Sequence, residues 1–133
     1  MQVNLDPGKE MAASFKDILD QAPDGMIFAD PGGIIRLWNQ GAQNIFGYTS
    51  AEVLGKSLDI IIPERFRSAH WKGFYKAMET AHTIHAGLIL RTRSVHKDGN
   101  KLYVDLTFGI VKNAAGAIRG SVAIARKATE AGA

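Results

Sequence analysis

Residues 25–39 read Gly25-Met26-Ile27-Phe28-Ala29-Asp30-Pro31-Gly32-Gly33-Ile34-Ile35-Arg36-Leu37-Trp38-Asn39. Two apolar runs, Gly25 to Asp30 and Gly33 to Asn39, flank Pro31-Gly32, the punctuation of a tight turn between antiparallel strands. Upstream, Met11, Phe15, Ile18 and Leu19 recur at helical spacing, which predicts a short amphipathic helix from about Lys9 to Gln21, ended by Pro23. Residues 1–9 are polar and carry Pro7 and Gly8, so they read as a flexible lead-in.

Downstream of the hairpin, Asn39 is suited to cap a helix whose apolar stripe, Ala42, Ile45 and Phe46, stops at Gly47. Thr49-Ser50-Ala51-Glu52 has the hydroxyl-then-acid chemistry of a second helix start, and Gly55 closes it. Pro63 suits the first turn of a longer helix over residues 64–81. Phe66, His70, Phe74, Ala77, Met78 and Ala81 share one face of that helix, and Arg65, Arg67, Lys72, Lys76 and Glu79 the other. Three strand-like runs follow, Gly87 to His96, Lys101 to Val111 and Ala117 to Arg126, separated by Lys97-Asp98-Gly99-Asn100 and Asn113-Ala114-Ala115-Gly116. The expected fold is α+β: a five-stranded antiparallel sheet with short helices and one long helix packed on one face, enclosing a pocket.

Composition bounds the rest. With 133 residues, 46% hydrophobic and 22% charged, the chain fills one core and not two. Residues 10–130 are read as one domain and 131–133 as a tail. No apolar run approaches the roughly 20 residues of a bilayer span, and the N-terminus lacks the order of a secretory signal, so a cytoplasmic protein without membrane contact is expected. The net charge of +3 is scattered, with no basic stripe for nucleic acid. There is no cysteine, hence no disulfide, thiolate metal site or thiol nucleophile. Paired carboxylates, a Ser-His-Asp arrangement and a phosphate loop are also missing, so no enzyme is expected.

Several motifs, in this order of elements, resemble the PAS family of sensor modules. Ile18-Leu-Asp-Gln-Ala-Pro-Asp-Gly-Met-Ile is similar to the family's opening. Trp38-Asn39, Ala42 and Ile45-Phe46-Gly47-Tyr48 resemble its central signature, Glu52-Val53-Leu54-Gly55-Lys56 the segment after it, and Lys97-Asp98-Gly99 the hairpin before its penultimate strand. The resemblance covers about residues 11–130. It implies that Asn39 ties the strand end to the following helices through the backbone. PAS domains hold haem, flavins, other chromophores, small carboxylates or only another protein, so the ligand has to be argued from the site. Without cysteine, flavin-cysteinyl chemistry and a cinnamoyl-type chromophore are excluded.

His70 lies one helical turn after Phe66 and one before Phe74, so it is expected to point with them into the pocket. A neutral imidazole facing an apolar cavity is a natural axial ligand for haem iron; the plainer alternative is a core histidine bonded to a carbonyl. Here the chain is also similar to haem-binding PAS domains of bacterial oxygen sensors, without a gap from His70 to the Asp98-Gly99 hairpin. That resemblance implies haem b with His70 as metal ligand, and Leu106 and Phe108 over the distal face. It places Lys76 and His85 near the propionates. Gly73, one turn on from His70, allows close approach of a flat ring or, equally, a close helix–sheet contact. Leu88 and Leu90 stand where two kinds of oxygen sensor carry a ligating methionine and an oxygen-stabilising arginine. Neither leucine donates a hydrogen bond, which implies five-coordinate iron with an apolar distal side, better suited to CO or NO than to O2. Arg91 and Arg93 are expected on the opposite face of the strand, and Trp71, with Tyr75 one turn later, against a neighbouring loop. The three-residue spacing of His82 and His85 falls at the helix end and does not suit zinc.

Two other functions compete with a haem-based gas sensor. One is a cofactor-free interaction module, a homodimer through the N-terminal helix around Phe15, Ile18 and Leu19. The other is a sensor of a small organic ligand, with Lys76, His82 or His85 near its charge. In each case the family resemblance implies an attached output domain or a docked partner protein.

Overall fold

Asn39, at the end of the first hairpin, already shows how this chain turns from strand to helix. Its carboxamide oxygen accepts from the backbone N–H of Met26 (2.8 Å) and of Ala42 (3.0 Å), and its amide donates to the carbonyls of Leu19 (2.7 Å) and Asp24 (3.1 Å). One buried side chain thus caps a helix and fastens two neighbouring segments, as the family resemblance implies. The structure, a computed structural model, describes residues 13–83 and 85–128.

In chain order the elements are α1 (Phe15–Gln21), β1 (Gly25–Ala29), β2 (Ile35–Trp38), α2 (Gln40–Phe46), α3 (Ser50–Val53), a 3-10 turn (Leu58–Ile61), α4 (Glu64–Thr80), β3 (Leu90–Val95), β4 (Lys101–Lys112) and β5 (Ile118–Lys127). The strands form one five-stranded antiparallel sheet in the order β2-β1-β5-β4-β3, so the last strand returns to the centre beside the first. The fold is α+β, as expected.

Local chemistry explains most boundaries. Ser14 with Asp17, and Thr49 with Glu52, form reciprocal capping boxes at the starts of α1 and α3. Gly47 ends α2 in the left-handed region at φ 87°. Pro63, lacking an N–H, precedes α4. The helix expected from about Lys9 begins instead at Phe15, because Ser14 is an extended N-cap whose side chain accepts from the Asp17 N–H; Met11 and the lead-in of residues 1–9 lie outside the described residues, as does the tail.

Two expected strand starts also need correction. β2 begins at Ile35, not at Gly33, because Asp30 Oδ1 accepts from the N–H groups of Gly32 and Ile34 and holds those residues in the turn. β3 begins at Leu90, not at Gly87. The Leu88 N–H donates to His85 O and Gly87 adopts φ 74°, so this segment turns instead of pairing, and Leu88 and Ile89 are exposed.

Direct cross-strand partners share a sheet face. Leu90 pairs with Leu106, Leu106 with Ala125 and Ala125 with Gly25; Phe108 pairs with Ala123, and Ala123 with Ile27. This inner face meets α2 and α3 in a core of Ile27, Ile35, Trp38, Ala42, Phe46, Val53, Leu102, Val104 and Ala125. The larger aliphatic and phenyl side chains among them each contribute about 1.5–3 kcal/mol through burial. Ser94, on the same face, donates to the carbonyl of Ile61, and so fixes the 3-10 turn and the start of α4 over the inner side of β3.

Candidate functional site

α4 is held at its N-terminal end by one arginine and one tryptophan. Arg67 donates from Nε to the Ile62 carbonyl (3.0 Å) and from an Nη to the Asp59 carbonyl (3.1 Å), bonds that cap the 3-10 turn from the helix. Trp71 Nε1 donates to Asp59 Oδ1 at 2.6 Å. A Cβ on Gly33 would come within 2.2 Å of the Trp71 ring, so the indole is seated against the β1–β2 turn. That is the neighbouring-loop contact expected of Trp71.

His70 lies beside this anchor. Its ring meets Trp71 edge-on at 4.6 Å between centroids and stacks on Phe74 at 5.9 Å and 27°. Trp71 stacks in turn on Tyr75 at 5.4 Å. The His70 Nδ1 is buried without a hydrogen-bond partner among the described residues. Burial lowers its pKa below the usual imidazole range, and the negative charge of Asp59 pulls the other way. The imidazole is therefore neutral at physiological pH, with a buried ring nitrogen uncommitted. That is the donor chemistry a haem iron takes.

Opposite α4, the inner sheet face presents Leu90, Leu106 and Phe108, none fully buried. No residue of α4 is fully buried either. Apolar side chains on both elements are left incompletely covered.

The remaining expected site residues are dispersed. Phe66, expected on the inward face with His70, is 40% exposed and lies under the Arg65 guanidinium at 4.7 Å; the cation holds the ring at the surface. Gly73 is exposed with no heavy atom within 4 Å of the position of a Cβ, so no helix–sheet contact requires a glycine there. Lys76 is exposed, and His85 is half-buried in the turn before β3. Leu88 is 52% exposed and lies in the segment before the strand. Arg91, as expected, faces the side opposite Leu90, paired with Asp105 at 3.0 Å. Asp59 and Gly33 were not expected at the site. The Gly32-Gly33 pair at a strand start was the only sign of the latter, and an aspartate in a short helix gave none.

The sequence matches the PAS fold family over residues 13–128, a family of sensory modules. Among curated proteins it is 32% identical over 96 residues to Sensor protein FixL of Bradyrhizobium diazoefficiens, covering 71% of this chain and 19% of FixL. It is 26% identical over 89 residues to Oxygen sensor protein DosP of Escherichia coli, covering 67% of this chain and 11% of DosP. The chain thus spans a fifth or less of these relatives. Among solved structures, a PAS domain from Colwellia psychrerythraea aligns with a TM-score of 0.73 at 19% identity, over 85% of this chain and 92% of that one. No helix among the described residues is long and apolar enough to cross a membrane. With the motifs, the strand order and this match in agreement, the chain belongs to the PAS family.

Proposed function

We propose that this chain is a sensory PAS domain that holds haem b between α4 and the inner sheet face, with His70 as the axial ligand, and senses a diatomic gas. The observation that carries the reading is the buried His70 Nδ1, without a hydrogen-bond partner among the described residues, inside an aromatic cluster of α4. Similarity to proteins named as a sensor and as an oxygen sensor supports it.

Haem supplies an iron that binds diatomic ligands. The chain's own residues do the rest. Phe74 packs on the imidazole and restricts its rotation, and burial keeps the ring deprotonated and able to ligate. Leu90, Leu106 and Phe108 exclude water and donate no hydrogen bond, which favours CO or NO over O2. Lys76, which has no ion pair among the described residues, and His85 are the groups nearest in sequence to pair with propionates. A shift of α4 at His70 moves Trp71, and with it the Asp59 bond and the seat on Gly33, so the β1–β2 edge of the sheet registers the bound state. An output domain or docked partner reads that change. Titrating the apo protein with hemin tests the reading: saturation at one equivalent is expected, and unsaturable binding equal to that of His70→Ala would refute it.

Self-association through α1 is a second property we propose. Phe15 and Ile18 are 57% and 47% exposed on one side of α1, an apolar pair with no cover among the described residues.

A further inference from the structure

A separate cavity of about 210 Å³ lies at the open edge of the sheet, between the first turn of α4 and the β3–β4 hairpin. Its lining includes Glu64, Arg67, Arg93, Ser94, Gly99 and Lys101. Three cations and one carboxylate line it, and a second carboxylate, Asp59, lies beside Arg67. Glu64 is exposed to solvent.

The cations differ in how they are engaged. Arg67 is bonded to the Asp59 and Ile62 carbonyls and lies 3.9 Å from the Asp59 carboxylate. Lys101 forms no ion pair, and the Nε of Arg93 is buried without an acceptor, among the described residues. A buried guanidinium N–H without a partner is rare and unfavourable, because the group has lost water and gained nothing in exchange. Strand register adds to the puzzle. Arg93 is opposite Tyr103 on the edge strand, a position where a long side chain could stay fully in water.

We propose that this cavity binds a small oxyanion, a phosphate or a carboxylate, with Arg93 and Lys101 as its principal ligands. Both side chains line the cavity, Lys101 without an ion pair among the described residues, and a guanidinium fork matches the geometry of either group. The volume is below the roughly 300 Å³ at which pockets for drug-sized ligands begin, which limits the guest to a few heavy atoms beyond the anionic group. This site is independent of the haem reading: it uses none of His70, Leu90, Leu106 and Phe108. Arg67, one turn before His70 on α4, is the element the two sites share, so an anion here would bear on the position of the sensing helix.

The test is an amide NMR titration of the whole chain with inorganic phosphate, and in a parallel arm with succinate, at constant ionic strength. Saturable shifts centred on Glu64, Ser94, Gly99 and Lys101, with a dissociation constant of about 1 mM or tighter, are expected in at least one arm, and the stronger arm names the anion. Arg93→Gln should weaken binding about tenfold or more, and so should Lys101→Gln, an exposed change that leaves the test intact if the arginine variant does not fold. Shifts that fail to saturate, that spread over all basic residues, or that persist in Lys101→Gln at unchanged affinity would overturn the proposal.

Discussion

The indole of Trp71 lies across Gly33. A Cβ at Gly33 would fall 2.2 Å from two ring carbons, and the glycine holds φ at 79°, a conformation that other residues rarely adopt. The residue after His70 is thereby tied to the turn between β1 and β2, and the 2.6 Å bond to Asp59 makes a second tie. Position 71 thus joins the candidate ligand-bearing helix to the edge of the sheet.

Gly33→Ala should destabilise the protein by about 1–3 kcal/mol from backbone strain alone, with the ring clash adding to it. Trp71→Leu removes the clash but not the strain. The double variant should therefore be less destabilised than the sum of the singles, by about 0.5–3 kcal/mol in a urea-unfolding cycle; strict additivity would show that the contact is not formed.

Asn39→Ala should cost about 2–4 kcal/mol, because it strips a cap and leaves two backbone N–H groups and two carbonyls without their partner. Asn39→Asp retains the acceptor yet loses both donors and buries a charge, so it should not rescue stability. Urea midpoints of the two variants decide this.

Much of this was legible beforehand, for identifiable reasons. The Thr49–Glu52 capping box, Gly47 and the Asn39 cap are local chemistry, readable within four residues, whereas the helical spacing of Met11 with Phe15 hid the Ser14–Asp17 box that starts α1. Strand starts were less legible. At Gly33 and Gly87 an apolar run continues unbroken, while turn hydrogen bonds hold the backbone off the sheet. In α4 the periodicity correctly grouped His70 with Phe74 but also placed Phe66 inward, since helical spacing does not show that Arg65 covers that ring at the surface. Asp59 and Gly33 reach the site from other elements, and Arg93 gained its meaning only when its nitrogen was found buried without an acceptor.

Stability should fall in acid partly through Glu52. The hydrogen bond from Lys97, 2.6 Å away, and those from Thr49 lower its carboxyl pKa from 4.5 to about 2. A folded-state pKa depressed in this way contributes stability that is complete above about pH 4.5 and is lost as pH falls towards 2. Glu52→Gln keeps an acceptor for the Thr49 N–H but removes the titration. Urea midpoints at pH 7, 4.5 and 3 should converge between wild type and variant as pH drops; a constant gap would contradict the assignment.

Phe15→Glu with Ile18→Glu should abolish self-association with little loss of monomer stability, since both side chains are exposed. Sedimentation velocity of wild type and variant measures this. Unchanged association would place the interface elsewhere.

The most direct test of the account is the absorption spectrum of the hemin-reconstituted protein, reduced and then exposed to carbon monoxide, for wild type and His70→Ala. The account predicts a sharp Soret band in the wild type that shifts on adding carbon monoxide and is lost in the variant. A spectrum of free hemin in the wild type, or an unchanged band in His70→Ala, would contradict it.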